Sequence, residues 1–328
     1  MKAVMRTTAR GAIWATALLV ASSCFAQTSG YPNRPVKVIV PFPPGGATDV
    51  IVRLITQKLS VSLGQQFYAE NHAGAGGNIG MGMAASAPAD GYTMLAVTNS
   101  FILNPSLYAR IPYDPIRDFA PLALTATSPY VVAVHPSLPA RSVSELIALV
   151  RANPGKYSYA SAGLGTPGHL AGELFRSPLG LDLVHVPFSG GPPAINATIA
   201  GHTPVSFTAL PTAAPQVKDG KLRALAVMSS KRAAALPDVP TMAEAGVADC
   251  EVDIVAGMVV RSETPDDIAQ RLHGEIVKAL AQPEIRERLS ALGFEPVAST
   301  RDAFAAWIKA EIPRWRRVIH GVNIPKVE

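Results

Sequence analysis

Cysteine is almost missing from this chain. Cys24 and Cys250 are its two thiols in 328 residues, so no disulfide framework is available and packing has to hold the fold. Charge is also sparse, at 16% of residues, and aromatic side chains make up 6%. The formal charge of +5 is not spread along the chain. Lys2, Arg6 and Arg10 fall in the first 26 residues, where there is no acid, and the remainder carries 26 basic against 24 acidic side chains. A balance of that kind supplies no basic surface for nucleic acid.

The usual catalytic signatures are absent as well. There is no G-x-S-x-G nucleophile elbow, no H-E-x-x-H, no C-x-x-C and no lysine closing a phosphate-binding glycine loop. The seven histidines, His72, His135, His169, His185, His202, His273 and His320, are scattered. They are assigned to surface or packing roles. His169 differs in opening a helix beside a glycine turn. No catalytic constellation and no metal or cofactor site assembles from these residues.

The N-terminus does carry a pattern: a basic stretch through Arg10, the apolar run AIWATALLVA (12–21), and small Ala26 before Gln27. This reads as a secretory leader cleaved after Ala26, with an apolar run too short to span a bilayer. Cys24 opens a lipoprotein alternative, against which Ala21 stands where a leucine is expected. Export to the periplasm follows, and the mature chain then keeps Cys250 as an unpaired, buried thiol.

Glycine (26) and proline (29) are plentiful, and they punctuate alternating strand and helix patterns. VKVIV (36–40) reads as a buried strand, PFPPGGATD as the turn after it, and the following segment as a helix stopped at Gly64. FYAEN (67–71) and TMLAVTN (93–99) are further strands. A second series begins at YVVAVHP (130–136). SVSELIALVRANPGK has a capping box at Ser142 and Glu145, and the strands KYSYASA, LVHVPF, VSFTAL and KLRALAVM follow. Thr264 begins a Thr-x-x-Asp helix start, with an apolar stripe at Ile268, Leu272, Ile276 and Leu280, and two more amphipathic helices complete the chain. Repeated strand–helix units predict mainly parallel α/β sheets. The length predicts two cores: leader 1–26, a first domain from 27–126, a second from 127–250, and a return of 251–328 to the first domain.

The glycine-rich turns carry the functional argument. GLGTPG (163–168) matches G-x-G-x-x-G between a strand and a helix. For a dinucleotide site, however, Asp182 precedes LVHVPF instead of closing that strand, and the motif stands mid-chain after a full α/β unit. The stronger reading is an anion-holding turn, like PFPPGGATD. Both run from a strand into a helix N-terminus, where free N–H groups and the helix dipole favour an anion without any lysine. Together with HAGAGGNIG, TNS (98–100) and PFSGG (187–191), they predict a ligand cleft at the carboxyl ends of the strands.

These residues also resemble a known family. PVKVIVPFPPGGATDV, AENHAGAGGNIG, ADGYTML, NPSLY, PYDPIRDFAPL, YASAGLGTPGHLAGELF, VHVPFSGG, GKLRALAV and LPDVPTMAEAG are together similar to the substrate-binding receptors of tripartite tricarboxylate transporters, the Bug family. The likeness extends from Tyr31 to Trp315. It implies a two-domain fold like the type II periplasmic binding proteins, closing on a small organic acid held mainly by backbone amides. It also implies a non-catalytic, monomeric receptor that works with the membrane permease subunits of such a transporter. A ligand-presenting sensor and a dinucleotide-dependent oxidoreductase using 163–168 stay open as alternatives.

Position by position, the resemblance assigns ligand binding to Phe42, Gly45, Gly46, Thr48 and Asp49 in the first loop, and to Thr98 and Asn99 in a later one. In the opposing loop it assigns Ser161, Ala162, Gly163, Thr166 and His169, with Phe188 and Ser189 beyond. Thr208 with Ala209, and Val255 with Ala256, depart from the family pattern of an acid–asparagine and a Trp–Phe pair. Thr208 and Val255 are therefore expected to help set ligand choice.

Overall fold

Alternating apolar strands need helices to cover both sheet faces, and that demand organises the molecule. The computed structural model describes residues 30–321 and 326. The leader expected at 1–26, with Cys24, lies outside the described residues. The chain divides into two compact units, Met1–Asn33 and Arg34–Glu328, and every element named below belongs to the second.

Strand β1 (Val36–Val40) leads through the first glycine turn to helix α1 (Ala47–Leu63), which buries Ile51, Val52, Ile55 and Leu59 and ends on Gly64 at φ +66°. Such a left-handed terminus needs glycine. Parallel strands β2 (Phe67–Asn71) and β3 (Thr93–Val97) flank β1. Helix α2 (Asn78–Ala85) lies between them in sequence. Helix α3 (Asn99–Leu107) follows β3 and is almost wholly buried.

The next strand organises the sheet. Strand β4 (Phe119–Val134) is 16 residues long and changes neighbours along its length. From Phe119 to Pro129 it pairs antiparallel with β9 (Asp253–Arg261), and from Tyr130 to Val134 with β7 (Val205–Ala209). β9 and β7 lie on opposite sides of β4: on the β9 side β8 (Arg223–Val227) follows, meeting residues 131–134, and on the β7 side β10 (Glu295–Pro296) precedes, meeting Ala126 and Thr127. The order is β2-β1-β3-β9-β4-β7-β5-β6, with β8 and β10 against β4. Here β5 (Ser158–Ser161) and β6 (Val184–Pro187) are parallel to each other, and β5 is parallel to β7. The sheet is therefore mixed, with parallel pairs outside and antiparallel pairs around β4.

The helices of the second series are α4 (Val143–Arg151), α5 (Pro167–Arg176), α6 (Gly191–Ile199) and α7 (Leu210–Lys218). In α4, Ser142 Oγ accepts the Glu145 N–H at 3.1 Å, while Glu145 Oε2 reaches back one residue further than expected, to the Arg141 N–H at 2.6 Å. After β9 the chain returns to β1–β4 as α8 (Asp266–Ala281), α9 (Pro283–Ala291) and α10 (Arg301–Gly321). The last buries Phe304, Ile308, Ile312, Trp315 and Ile319.

Some local expectations change. The second series starts at Phe119, not at Tyr130. The strand signal of FAPLALTATSP is obscured by Pro121, which sits at a register irregularity, and by Pro129, which sits where β4 changes partner. These are places where a strand tolerates a missing N–H. Helices α3 and α7 carry internal Pro105 and Pro215, and α3 has no polar face, so it shows no helical periodicity. Thr264 does not cap α8: the N-cap position is Pro265, and Thr264 Oγ1 is buried without a partner.

Gly257 marks the tightest packing in β9. A Cβ placed on it would lie 2.5 Å from Phe304 Cζ and 3.2 Å from the Ala123 carbonyl oxygen. Gly257→Ala should therefore cost about 1–3 kcal/mol through overpacking. The expected result is a lower urea midpoint with an unchanged slope, measured by circular dichroism.

Candidate functional site

Because β1 and β3 are parallel neighbours, the loops leaving their carboxyl ends lie side by side, and β5 and β6 bring a second pair of loops together. Each set contains one glycine turn feeding a helix.

In the first turn, Gly45 has φ +80°, which L side chains rarely adopt, and Gly46 is the extended N-cap of α1 at φ −73°, ψ 166°. No N-cap side chain bonds the helix start. Asp49 closes the turn from inside. At 3% exposure its Oδ2 accepts the Gly45 N–H and Arg53 Nε, both at 2.9 Å, and its Oδ1 accepts Asn71 Nδ2 at 2.9 Å. Asn71 Nδ2 also donates to the Phe42 carbonyl at 3.1 Å, and Arg53 Nη2 donates to Asn71 Oδ1 at 3.0 Å. Burial alone would raise the Asp49 pKa, but the hydrogen bonds from Arg53, Gly45 and Asn71 outweigh it and hold the carboxyl below its ordinary value. Asp49 and Arg53 are thus committed to each other. The N–H groups of Ala47, Thr48 and Asp49 open the helix with no intrahelical acceptor, beside half-buried Phe42 and Thr48.

Thr98 is the extended N-cap of α3, next to this turn. Asn99 is buried, and its side chain is spent on β9: Nδ2 donates to the Asp253 carbonyl at 2.8 Å and Oδ1 accepts the Val255 N–H at 3.1 Å. It fastens the loop to the strand as a backbone pair would.

The second turn repeats the first. Gly165 has φ +71°, Thr166 is the extended N-cap of α5 at φ −71°, ψ 158°, and His169 Nδ1 accepts the Gly165 N–H at 3.0 Å. In both turns the third helical residue accepts the N–H of the glycine before the N-cap. Thr166 Oγ1 donates to the Gly163 carbonyl at 2.7 Å, and Ser161 Oγ accepts the Gly163 N–H at 3.2 Å. Ser161 Oγ also lies 2.7 Å from His185 Nε2. His185 stacks on His169 with ring centroids 4.1 Å apart and on Tyr159 at 4.7 Å. Beneath them, buried Glu173 accepts Tyr159 Oη at 2.8 Å and Arg176 Nε at 2.7 Å. Burial lowers the pKa of both histidines, that of His185 to about 4, and both rings are neutral at pH 7.

The two sets of loops meet at Gly165, where an added Cβ would lie 2.9 Å from Leu107 Cδ1 at the end of α3. The Phe188 N–H donates to the Ser161 carbonyl at 3.0 Å, which places Phe188, Ser189 and half-buried Ala162 beside the second turn. Thr208 and Val255 are both buried and flank β4 where it changes partner, opposite Val131 and Thr127 respectively. Asp182 lies next to Gly155, whose N–H its carbonyl accepts, at the opposite end of β5 and β6 from the glycine turn. A ribose-binding role with 163–168 therefore has no geometry to support it. Cys250 is buried and its thiol pKa is pushed up to about 12 by desolvation, which makes it a poor nucleophile.

Asn71, His185 and Leu107 were not among the residues expected from sequence. His185 had a signal: with Tyr159 directly opposite in the register, it is a polar residue on the same sheet face as Tyr159 and Ser161.

Asp49→Ala would strip acceptors from a buried amide N–H, the Asn71 side chain and a guanidinium. The expected loss is about 2–3 kcal/mol of stability, read by chemical denaturation.

The family model described as "Tripartite tricarboxylate transporter family receptor" matches residues 51–324. Protein BugT of Bordetella pertussis (strain Tohama I) is 36% identical over 315 residues, which cover 93% of this chain and 97% of BugT. Among solved structures, Rpa4515 of R. palustris with adipate superposes with a TM-score of 0.83 at 34% identity, covering 90% of this chain and all of that one. The periplasmic binding protein BugD gives 0.80 at 34% identity, with the same coverage.

Proposed function

The chain belongs to the tripartite tricarboxylate transporter receptor family, and from that premise we propose that it is a periplasmic, non-catalytic receptor that captures a small carboxylate for a membrane permease of that transporter class. The observation that carries this reading is the pair of matched turns. Each presents a helix N-terminus whose first N–H groups lack intrahelical acceptors, at the carboxyl ends of β1 and β5. The nearest cation in the first turn, Arg53, is already bonded to Asp49. A carboxylate seated there is held by main-chain donors and two helix dipoles. Adipate in the homologous Rpa4515 structure is a ligand of this chemical class.

In this reading the ligand-facing groups are Phe42, Gly45, Gly46, Thr48 and Thr98 from the first half, with Ala162, Gly163, Thr166, Phe188 and Ser189 from the second. Asp49, Asn99, Ser161 and His169 act from behind, because their polar atoms are occupied by the loops they hold. Thr208 and Val255, small and uncharged beside the partner change in β4, favour an acid without an amino group. The mature chain acts as a monomer whose two halves, 27–126 with 251–328 and 127–250, close on the ligand.

A thermal-shift panel of mono-, di- and tricarboxylates on residues 27–328 tests this. At least one acid should raise the melting temperature and NAD and NADP should not; the opposite pattern refutes it. Gly46→Asp separates ligand contact from folding. Gly46 has ordinary backbone angles, and a Cβ there meets nothing closer than the Pro43 carbonyl oxygen at 3.6 Å. The variant should fold normally and lose affinity for the responding acid by tenfold or more, on the order of one misplaced like charge, by calorimetric titration.

A further inference from the structure

The two matched turns differ in one atom type, and that difference has chemical consequences. In the first, the residue accepting the glycine N–H is a carboxylate held in its charged form. In the second it is an imidazole nitrogen, His169 Nδ1. A ring nitrogen accepts a hydrogen bond only when it bears no proton. The proton of neutral His169 therefore sits on Nε2, which faces Glu173 Oε1 at 3.8 Å. His185, stacked against it, fixes the other end of the turn through Ser161 Oγ, which takes the Gly163 N–H. Gly163 and Gly165 are thus each tied to one histidine, and Gly165 is also the residue that touches Leu107 of the opposite loop set.

We infer that His169 and His185 are positioning residues: a stacked, neutral pair that sets the shape of the second binding turn through Gly165 and Ser161. The inference rests on the receptor reading for its ligand but not for its geometry. A second proton on His169 occupies Nδ1 and breaks the bond to Gly165. The charged groups facing the pair are Glu173 and Arg176 of α5, and the neighbouring polar rings and hydroxyls are Tyr159 and Ser161 of β5. Glu173 favours protonation, but it is already bonded to Arg176 and Tyr159, and burial of the rings prevails. A histidine whose folded-state pKa is lowered contributes stability that is complete above its unfolded value of about 6.5 and drains away as pH falls below it. For His185 the loss extends down to about pH 4.

Two substitutions at one position distinguish positioning from packing. Asn carries its amide oxygen near the place of Nδ1 and does not titrate, so His169→Asn keeps an acceptor for Gly165. His169→Phe keeps the ring volume and the stack but offers no acceptor. Amide hydrogen exchange of Gly163–Thr166 is measured on the ligand-free mature chain from pH 7.5 to 5, together with affinity for whichever acid of the panel responds. The expected result has wild type losing Gly165 protection and, in parallel, affinity as the pH falls. His169→Asn should hold both nearly flat with pH, and His169→Phe should lack the protection even at pH 7.5. Protection retained in His169→Phe and lost in His169→Asn would overturn the proposal in favour of simple packing. If no acid responds while the exchange pattern is as expected, the receptor reading fails and the positioning role stands.

Discussion

One strand belongs to both halves of this sheet, and the remaining architecture follows from it. β4 pairs with β9 up to Pro129 and with β7 from Tyr130. On the β9 flank, the passage to β8 is secured at the same point: the Tyr130 N–H donates to the Val252 carbonyl, its carbonyl accepts the Met228 N–H, and the Val252 N–H donates to the Met228 carbonyl. These bonds satisfy the Tyr130 N–H and carbonyl at the point where the chain passes from one half to the other. Every loop that carries a candidate ligand contact is suspended from strands that register, directly or through β9 and β7, on β4. Asn99 adds to this by binding β9 on both sides of Ile254.

Two helix starts of unrelated sequence, GGATD and GTPGH, reach the same geometry. In each, a left-handed glycine turns the chain, an extended residue caps the helix, and a side chain three residues on reaches back to the glycine N–H. The common requirement is to point helix N–H groups outward while giving the turn an internal support. A carboxylate supported by Arg53 and Asn71 meets it in one half, and an imidazole backed by His185 and Glu173 meets it in the other. Neither solution places a bare cation at the helix N-termini.

The broad fold and the glycine turns were legible in the sequence because they rest on local signals: the apolar run at 36–40, the stop at Gly64, and the capping serine at 142. What was not legible depended on partners distant in sequence. Pro121 and Pro129 obscured the first two thirds of β4 because their tolerance comes from a bulge and a partner change, neither of which is local. Helix α3 lacked a polar face because it is enclosed on all sides. Thr264 had the form of a cap but is displaced by Pro265. Asp49 and His169 lie in the two glycine turns, where their acceptors face inward to the Gly45 and Gly165 N–H groups, a support that no local pattern announces. His185 passed as a packing residue because its partners, Ser161 and His169, meet it only once β5 and β6 have paired.

The position of β9 also governs the order in which the molecule can assemble. Residues 253–261 insert between β3 and β4, so two strands close in sequence are joined only through a third that is synthesised late. No early fragment can complete the first half-sheet, and its contacts are among the most non-local in the molecule, which slows folding. A polypeptide built in this way emerges from the ribosome with its N-terminal half-sheet still lacking the strand that joins β3 to β4.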